Sequence, residues 1–334
     1  MTTSPDTQPD PAPANPPAGA LALVTGGAGF IGSHLVDLLL QEGWKVRVLD
    51  NLSTGNLANL PTGHERLDFS AGDLRDTAAV RRACAGVDLV FHLAAQVSVI
   101  DSIRDPRLTE EVNIGGTGDL FEAAAAAGVR RLVFSSSSAV YGDDPELPKQ
   151  EEMRPQPLSP YAVSKLAGEN LGVYYVGRGL STTSLRYFNV YGRRQNPHSE
   201  YAAVVPRFVQ FGRQGTGPVI YGDGEQTRDF VHVSDVVRAN LRAALWDAPA
   251  AQPAVFNVGT GQPTSINELW QLIARATGCN RPATHATARP GEIRHSYACT
   301  RRAREMLGFQ PQLSREDGLT EMANAPRPPS APDS

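Results

Sequence analysis

Lysine is scarce in this 334-residue chain: Lys45, Lys149 and Lys165 are its only three, against 31 lysines and arginines together. The other cations are arginines, whose planar guanidinium suits bidentate contact with phosphates or carboxylates, although an arginine-biased genome gives the same composition. No run of basic residues occurs and the formal net charge is −4, which argues against nucleic acid as a partner. The three cysteines, Cys84, Cys279 and Cys299, are widely spaced and form no metal pattern. They point to a reducing, cytoplasmic setting, and no metal is expected. No apolar run approaches the ~20 residues of a membrane span. The N-terminus lacks the charged and apolar regions of a signal peptide, so no membrane association is expected.

Both ends are poor in core-forming residues. Residues 1–18 are rich in Pro, Ala, Asp and Thr, and residues 323–334 are similar. Neither can bury enough apolar surface to offset the cost of ordering, so both are expected to be disordered tails.

From residue 20, β-rich runs alternate with helical stretches. Strands are expected at Leu21–Val24, Val46–Leu49, Leu67–Ser70, Leu89–Leu93, Arg131–Phe134 and Thr183–Tyr187. The helical stretches include Phe30–Glu42 and an alanine-rich segment ending near Gly128. This alternation predicts an α/β fold, a Rossmann-like doubly wound parallel sheet over residues 19–190 with ligands at the carboxyl ends of its strands. Beyond residue 190 the pattern breaks into short strands (Val219–Tyr221, Val255–Val258) and helices near Tyr201–Gly212, Val233–Trp246 and Ile266–Ala276. That composition suits a smaller α/β substrate-binding lobe over residues 191–322, with some return to the core.

Two motifs carry chemistry. Thr25-Gly26-Gly27-Ala28-Gly29-Phe30-Ile31-Gly32 lies where the first strand turns into the first helix. Gly26 permits the turn, Gly29 lets backbone approach a pyrophosphate, and Gly32 allows close packing of helix on strand. The amides of the helix N-terminus, at Phe30 and Ile31, then offer positive potential to phosphates. Eighteen residues past Gly32 the second strand ends at Asp50-Asn51. A carboxylate there can accept from ribose hydroxyls and would repel a 2′-phosphate, which favours NAD over NADP. Asp73 and Leu74, after the third strand, are placed to flank an adenine. Ala94 and Gln96, after the fourth, leave room for backbone beside the cofactor.

The second motif is Ser159-Pro160-Tyr161-Ala162-Val163-Ser164-Lys165. Ser159 reads as an N-cap and Pro160 as the first helical residue, so Tyr161 and Lys165 share one helical face. An ammonium beside a phenol favours the phenolate and makes a usable base. Upstream, Ser135 to Ser138 place several hydroxyls at a strand's carboxyl end, where they can bond a substrate hydroxyl or ketone beside a nicotinamide.

Together these residues resemble the extended short-chain dehydrogenase/reductase family, in its nucleotide-sugar branch, over about residues 20–320. The resemblance implies that Tyr161 is the acid/base, that Lys165 lowers its pKa and holds the nicotinamide ribose, and that Ser137 orients the reacting hydroxyl. It matches Asn113 to the asparagine of a dimer-forming helix and implies a homodimer. Arg186 to Gly192 is similar to the segment of UDP-sugar 4-epimerases in which the residue at Asn189 contacts the diphosphate. Val205, Val219 and Tyr221 look like the uridine pocket, and Arg228 and Arg289 match two pyrophosphate-holding arginines.

Neighbouring activities in the family are weighed by what is missing. Dehydratases of the family carry an Asp-Glu pair where this chain has Ser138 and Ala139. UDP-glucuronate decarboxylases typically carry a glutamate at Ala139, and UDP-glucuronate 4-epimerases usually carry threonine at Asn189. A UDP-hexose 4-epimerase is the resulting expectation. UDP-glucuronate enzymes of the family, a net dehydrogenase, and a non-catalytic NAD- and UDP-sugar-binding regulator are the alternatives. The resemblance also implies that a small residue at Ser296 admits an N-acetyl group at the sugar's C2. One departure is that Cys299-Thr300 stands where relatives carry an aspartate cap, for which Thr300 is the expected substitute.

Overall fold

A computed structural model describes residues 19–196, 204–247, 254–288 and 293–325. In the first half of the chain the elements are β1 (Leu21–Thr25), α1 (Phe30–Gln41), β2 (Lys45–Asp50), β3 (Leu67–Ala71), α2 (Thr77–Cys84) and β4 (Leu89–His92). There follow α3 (Val99–Arg104), α4 (Pro106–Glu110), a π-helical turn (Glu111–Gly115) and α5 (Gly116–Ala126). β5 (Arg131–Ser137), α6 (Pro160–Val176) and β6 (Ser181–Tyr187) complete this half. The second half contains β7 (Asn189–Tyr191), α7 (Val204–Arg213), β8 (Val219–Tyr221), β9 (Thr227–Arg228), β10 (Phe230–His232) and α8 (Val233–Leu245). It continues with β11 (Ala254–Val258), β12 (Thr264–Ser265), α9 (Ile266–Thr277), β13 (Thr284–Ala286), β14 (His295–Ser296), α10 (Arg301–Leu307) and α11 (Arg315–Asn324).

A parallel seven-stranded sheet in the order β11-β6-β5-β4-β1-β2-β3 forms the centre. The middle strands β1 and β4 are buried on both faces, which is why they read as near-continuous apolar runs. Ala22, Val24, Leu89 and Phe91 face one layer with Leu35, Val36 and Leu39 of α1 and Val236 of α8. Leu23, Val90, Leu132 and Phe134 face the other, with Val80 of α2 and Leu120 and Phe121 of α5. The strand order reverses between β1 and β4, so a crevice opens at their carboxyl ends.

Two segments within residues 191–322 return to the main body. β11 pairs in parallel with β6, from Ala254 opposite Thr183 to Val258 opposite Tyr187, and α8 packs beside α1. Phe256 and Val258 are fully buried among Val237 and Leu241 of α8 and Ala303 and Leu307 of α10, while the edge of β6 supplies the backbone partners. The remaining lobe has its own core, in which Phe208 and Val209 of α7, Trp270 and Ile273 of α9 and Leu319 and Met322 of α11 meet.

Residues 323 and 324, assigned to a tail on composition, belong to α11, and residues 1–18 and 326–334 lie outside the described residues. Arg213 donates to the carbonyls of Met322 (2.7 Å) and Ala323 (3.0 Å), binding the last turn of α11 to α7 and carrying that helix to Asn324. At α10, Thr300 occupies the cap position, but its side chain makes no capping bond, so the substitution expected for the missing aspartate is not made.

α6 lies unusually close to the sheet. A Cβ on Gly168 would stand 2.2 Å from the Phe134 ring, and one on Gly172 would stand 3.1 Å from the Thr182 hydroxyl. Gly168→Ala is therefore expected to cost about 1–3 kcal/mol, measured as a lower Tm, and to depress activity through the same displacement of α6.

Candidate active site

The glycine turn is built as the sequence requires. Gly26 has φ +71°, and a Cβ there would stand 2.7 Å from the Ala94 amide; one on Gly32 would stand 2.1 Å from the Gly26 carbonyl. The turn is thus pressed against the carboxyl end of β4, and α1 is pressed against the turn. Gly29 caps α1 with extended backbone and no side-chain bond, so the first-turn amides of Phe30 and Ile31 point out uncapped by any side chain. Asp50 is buried at the end of β2. Its carboxylate accepts from the Ala28 amide (2.9 Å) and the Leu52 amide (2.8 Å), one bond per oxygen, which leaves a lone pair on each. A glycine cradle, an uncapped helix N-terminus and an acidic strand end fit a dinucleotide with an unphosphorylated ribose.

Asp73 is engaged on the rim. Its carboxylate accepts from Asn51 Nδ2 (2.9 Å) and from Arg75 through Nε (2.9 Å) and Nη2 (2.9 Å). The Arg75 guanidinium holds its pKa well below the usual carboxylate range. Leu74, expected to flank an adenine, turns its side chain into the core below Gly116.

The catalytic candidates converge at the carboxyl end of β5. Ser159 caps α6 by accepting from the Ala162 amide, and Pro160 is its first residue. Burial pushes the Tyr161 pKa up, a rise that the nearby Ser137 hydroxyl offsets only in part. Ser137 also accepts from the Ala139 amide at 3.1 Å. Lys165 is 4 % exposed, and its ammonium donates to the Ser135 carbonyl at 2.9 Å, 5.7 Å from the centre of the Tyr161 ring. Burial lowers its pKa to about 7. The group that offsets the rise in the tyrosine's pKa is therefore Ser137, while Lys165 is held by the strand behind it.

Asn113 lies in the π-helical turn and joins three elements. Its Oδ1 accepts from the Gln96 amide (2.7 Å), and its Nδ2 donates to the Gln96 carbonyl (2.9 Å) and to Ser164 Oγ (3.1 Å). Ser164 in turn donates to the Tyr161 carbonyl at 2.8 Å. The segment after β4 is thus fixed to the helix that carries Tyr161 and Lys165.

The structure brings together part of the expected substrate set. Asn189 is exposed at the start of β7, and its amide donates to the Asp229 carbonyl at 2.9 Å, next to Arg228. Ser296 of β14 stands directly opposite Arg228 of β9. The buried Asp229 carboxylate secures this corner by accepting from the Thr260 (2.7 Å), Gly261 (2.8 Å) and Ala298 (3.1 Å) amides. Val219 and Tyr221 are exposed on β8. Val205 is only 1 % exposed inside the lobe core, so its side chain packs and cannot line an open pocket. Arg289 lies outside the described residues.

Sequence reasoning missed the buried shell behind these groups. His92, at the end of β4, pairs with the hydroxyls of Thr25 (2.8 Å) and Thr117 (2.9 Å). The Ser135 carbonyl and Ser164 went unnoticed as well. The available signal was a polar side chain recurring on otherwise apolar, buried elements.

Burial drives the His92 pKa down to about 3. Its folded-state value lies below the unfolded one, so the unfolded chain gains the proton first, and stability falls as pH drops from about 6.5 toward 3. His92→Gln should remove roughly 1.4 kcal/mol of that dependence per pH unit, measured by urea unfolding of both proteins between pH 6.5 and 4.5.

Residues 22–259 match the NAD dependent epimerase/dehydratase family. The chain is 43% identical to the UDP-glucose 4-epimerase of Mycolicibacterium smegmatis over 304 residues, covering 90% of this chain and 96% of that one. It superposes on the UDP-N-acetylglucosamine 4-epimerase of Methanobrevibacter ruminantium, solved with UDP-N-acetylmuramic acid, with a TM-score of 0.87 at 39% identity over 91% of this chain and 97% of that one. The UDP-glucose 4-epimerase of Thermus thermophilus, solved with NAD, gives 0.82 at 40% identity over 91% and 98%. Its motifs, its fold and these relatives agree: the chain belongs to the NAD dependent epimerase/dehydratase family, in the branch of UDP-sugar 4-epimerases.

Proposed function

We propose that the protein inverts C4 of UDP-hexoses and that it takes both the UDP-glucose/UDP-galactose and the UDP-GlcNAc/UDP-GalNAc pair. The observation that carries this reading is the placing of Tyr161 and Lys165 of α6 at the carboxyl end of β5, with Lys165 bonded to the Ser135 carbonyl, two strands from the glycine turn that ends β1. The residues that would hold NAD are Gly26, Gly29, Phe30, Ile31, Gly32, Asp50 and Asn51, with Asp73, Leu74, Ala94, Gln96 and Asn113 around them. NAD supplies the acceptor and donor for a reversible oxidation at C4.

The protein's own groups do the rest. Tyr161 takes the proton of the 4-hydroxyl and later returns it, and Ser137 holds the reacting oxygen in line. Lys165, anchored on Ser135, favours the phenolate when its ammonium is charged. Asn189, Arg228 and Arg289 hold the diphosphate while the sugar presents its other face. Tyr221 and Val219, exposed on β8, supply surface for the uracil ring, and the backbone around Val205 closes that end. Ser138 and Ala139 offer no carboxyl group for eliminating water, which supports simple epimerisation.

A second copy of the chain is the proposed partner. Val99 and Ile103 of α3, Leu158, and Val163, Val173 and Tyr174 of α6 are exposed apolar side chains on neighbouring elements, a composition suited to a helical dimer face. The thiols of Cys84, Cys279 and Cys299 are free, as suits the cytoplasm.

Purified protein given each of the four UDP-sugars should form the C4 epimer without net NADH, read by chromatography and absorbance; binding of all four without turnover would leave the regulator reading in place. Tyr161→Phe should lower kcat by about 10²–10⁴-fold. Ser296→Tyr should abolish turnover of the N-acetylated pair while sparing UDP-glucose; equal turnover of both pairs would overturn the assignment of Ser296.

A further inference from the structure

Behind the catalytic groups, α6 and β5 are matched residue by residue. Tyr161, Lys165 and Glu169 follow at intervals of four and form one stripe on the helix. Opposite them, the Ser135 carbonyl holds Lys165, the Ser136 hydroxyl donates to Glu169 Oε1 at 2.5 Å, and Ser137 follows at the end of the strand on the Tyr161 side. Glu169 is 5 % exposed and also receives a two-pronged contact from Arg186 of β6, Nε to Oε1 at 2.9 Å and Nη2 to Oε2 at 2.8 Å. Arg186 is 4 % exposed, and its guanidinium lies 4.8 Å from the centre of the Tyr141 ring. Tyr141 donates to Asn257 of β11 at 2.6 Å.

A buried ion pair of this kind is a poor source of stability, since an apolar pair of similar volume usually serves as well or better. What it supplies is geometry. A bidentate guanidinium–carboxylate contact fixes orientation as well as distance, and the added hydroxyl bond ties it to Ser136, the residue between Ser135 and Ser137.

We propose that Glu169, held by Arg186 and bonded to Ser136, is a positioning residue: it sets the end of β5 against α6 so that Ser135 and Ser137 meet Lys165 and Tyr161. It touches neither sugar nor cofactor. Its effect is on the proton-transfer step, which in catalytic terms rests on the function proposed above. Loss of the contact should therefore lower kcat and shift its pH profile while leaving the KM for UDP-glucose nearly unchanged.

Two variants test this in the NAD-loaded protein. Ser136→Ala removes one hydroxyl and leaves the ion pair. Glu169→Leu combined with Arg186→Leu replaces the pair by apolar volume and leaves no buried charge unpaired. Each should keep a Tm near that of the unaltered protein and lose about tenfold or more in kcat, with KM within about twofold. An independent readout uses the scarcity of lysine: ¹³Cε-lysine labelling gives three side-chain signals, and the Lys165 titration midpoint should move by about half a pH unit or more in both variants. Unchanged kcat, pH profile and Lys165 midpoint in Ser136→Ala would overturn the proposal, whether or not the double variant folds. If the unaltered protein binds UDP-glucose without turning it over, the function fails instead, and the Lys165 titration still decides whether Glu169 positions the pair.

Discussion

The arrangement of Ser137, Tyr161 and Lys165 depends on how closely α6 can lie against β5. Gly168 has no room for a side chain against Phe134, and at that close approach Lys165 reaches the Ser135 carbonyl. The contact is steric first and polar second. Close packing sets the separation of helix and strand, and the serines convert it into fixed positions for ionisable groups. Because those groups are buried, their proton affinities are set by a few neighbours rather than by water.

Around this contact the fold works as two clamps. One is the glycine turn, where β1, α1 and the end of β4 meet with no room for side chains, so that backbone amides and Asp50 form the surface presented to a dinucleotide. The other is the corner where Asp229 gathers Thr260, Gly261 and Ala298 and keeps Arg228, Ser296 and Asn189 together. Lys149 joins this corner to the catalytic strand's side of the molecule: its amide donates to the Tyr297 carbonyl at 2.9 Å, and its carbonyl accepts from the Cys299 amide at 2.8 Å. The segment that follows β5 and the residues just after Ser296 therefore share hydrogen bonds.

Much of this was legible in the sequence because it is local. Each central strand is a short apolar run, and the glycine turn and the Tyr161–Lys165 spacing lie within single segments whose geometry follows from helix and turn rules. What was not legible is long-range. Val255–Val258 reads equally well as a lobe strand or as an edge strand of the main sheet, and only pairing with β6 decides it. Val205 sits in a motif that suggests a pocket, yet α7 turns it inward because its amphipathic face must meet Trp270 and Ile273. The partner of Glu169 is seventeen residues away on another strand, and no periodicity announces it. The end of α11 depends on Arg213, more than a hundred residues earlier.

The scarcity of lysine has a practical side once the side chains are placed. Lys149 and Lys165 are buried, at 1 % and 4 % exposure, which leaves Lys45 as the one lysine open to solvent. It begins β2, at the amino ends of the strands, whereas the glycine turn and the serines lie at the carboxyl ends. Among lysine side chains, amine-directed coupling has a single address on the face opposite the chemistry. A dye, a surface tether or a cross-linker placed there would leave the entrance to the crevice clear.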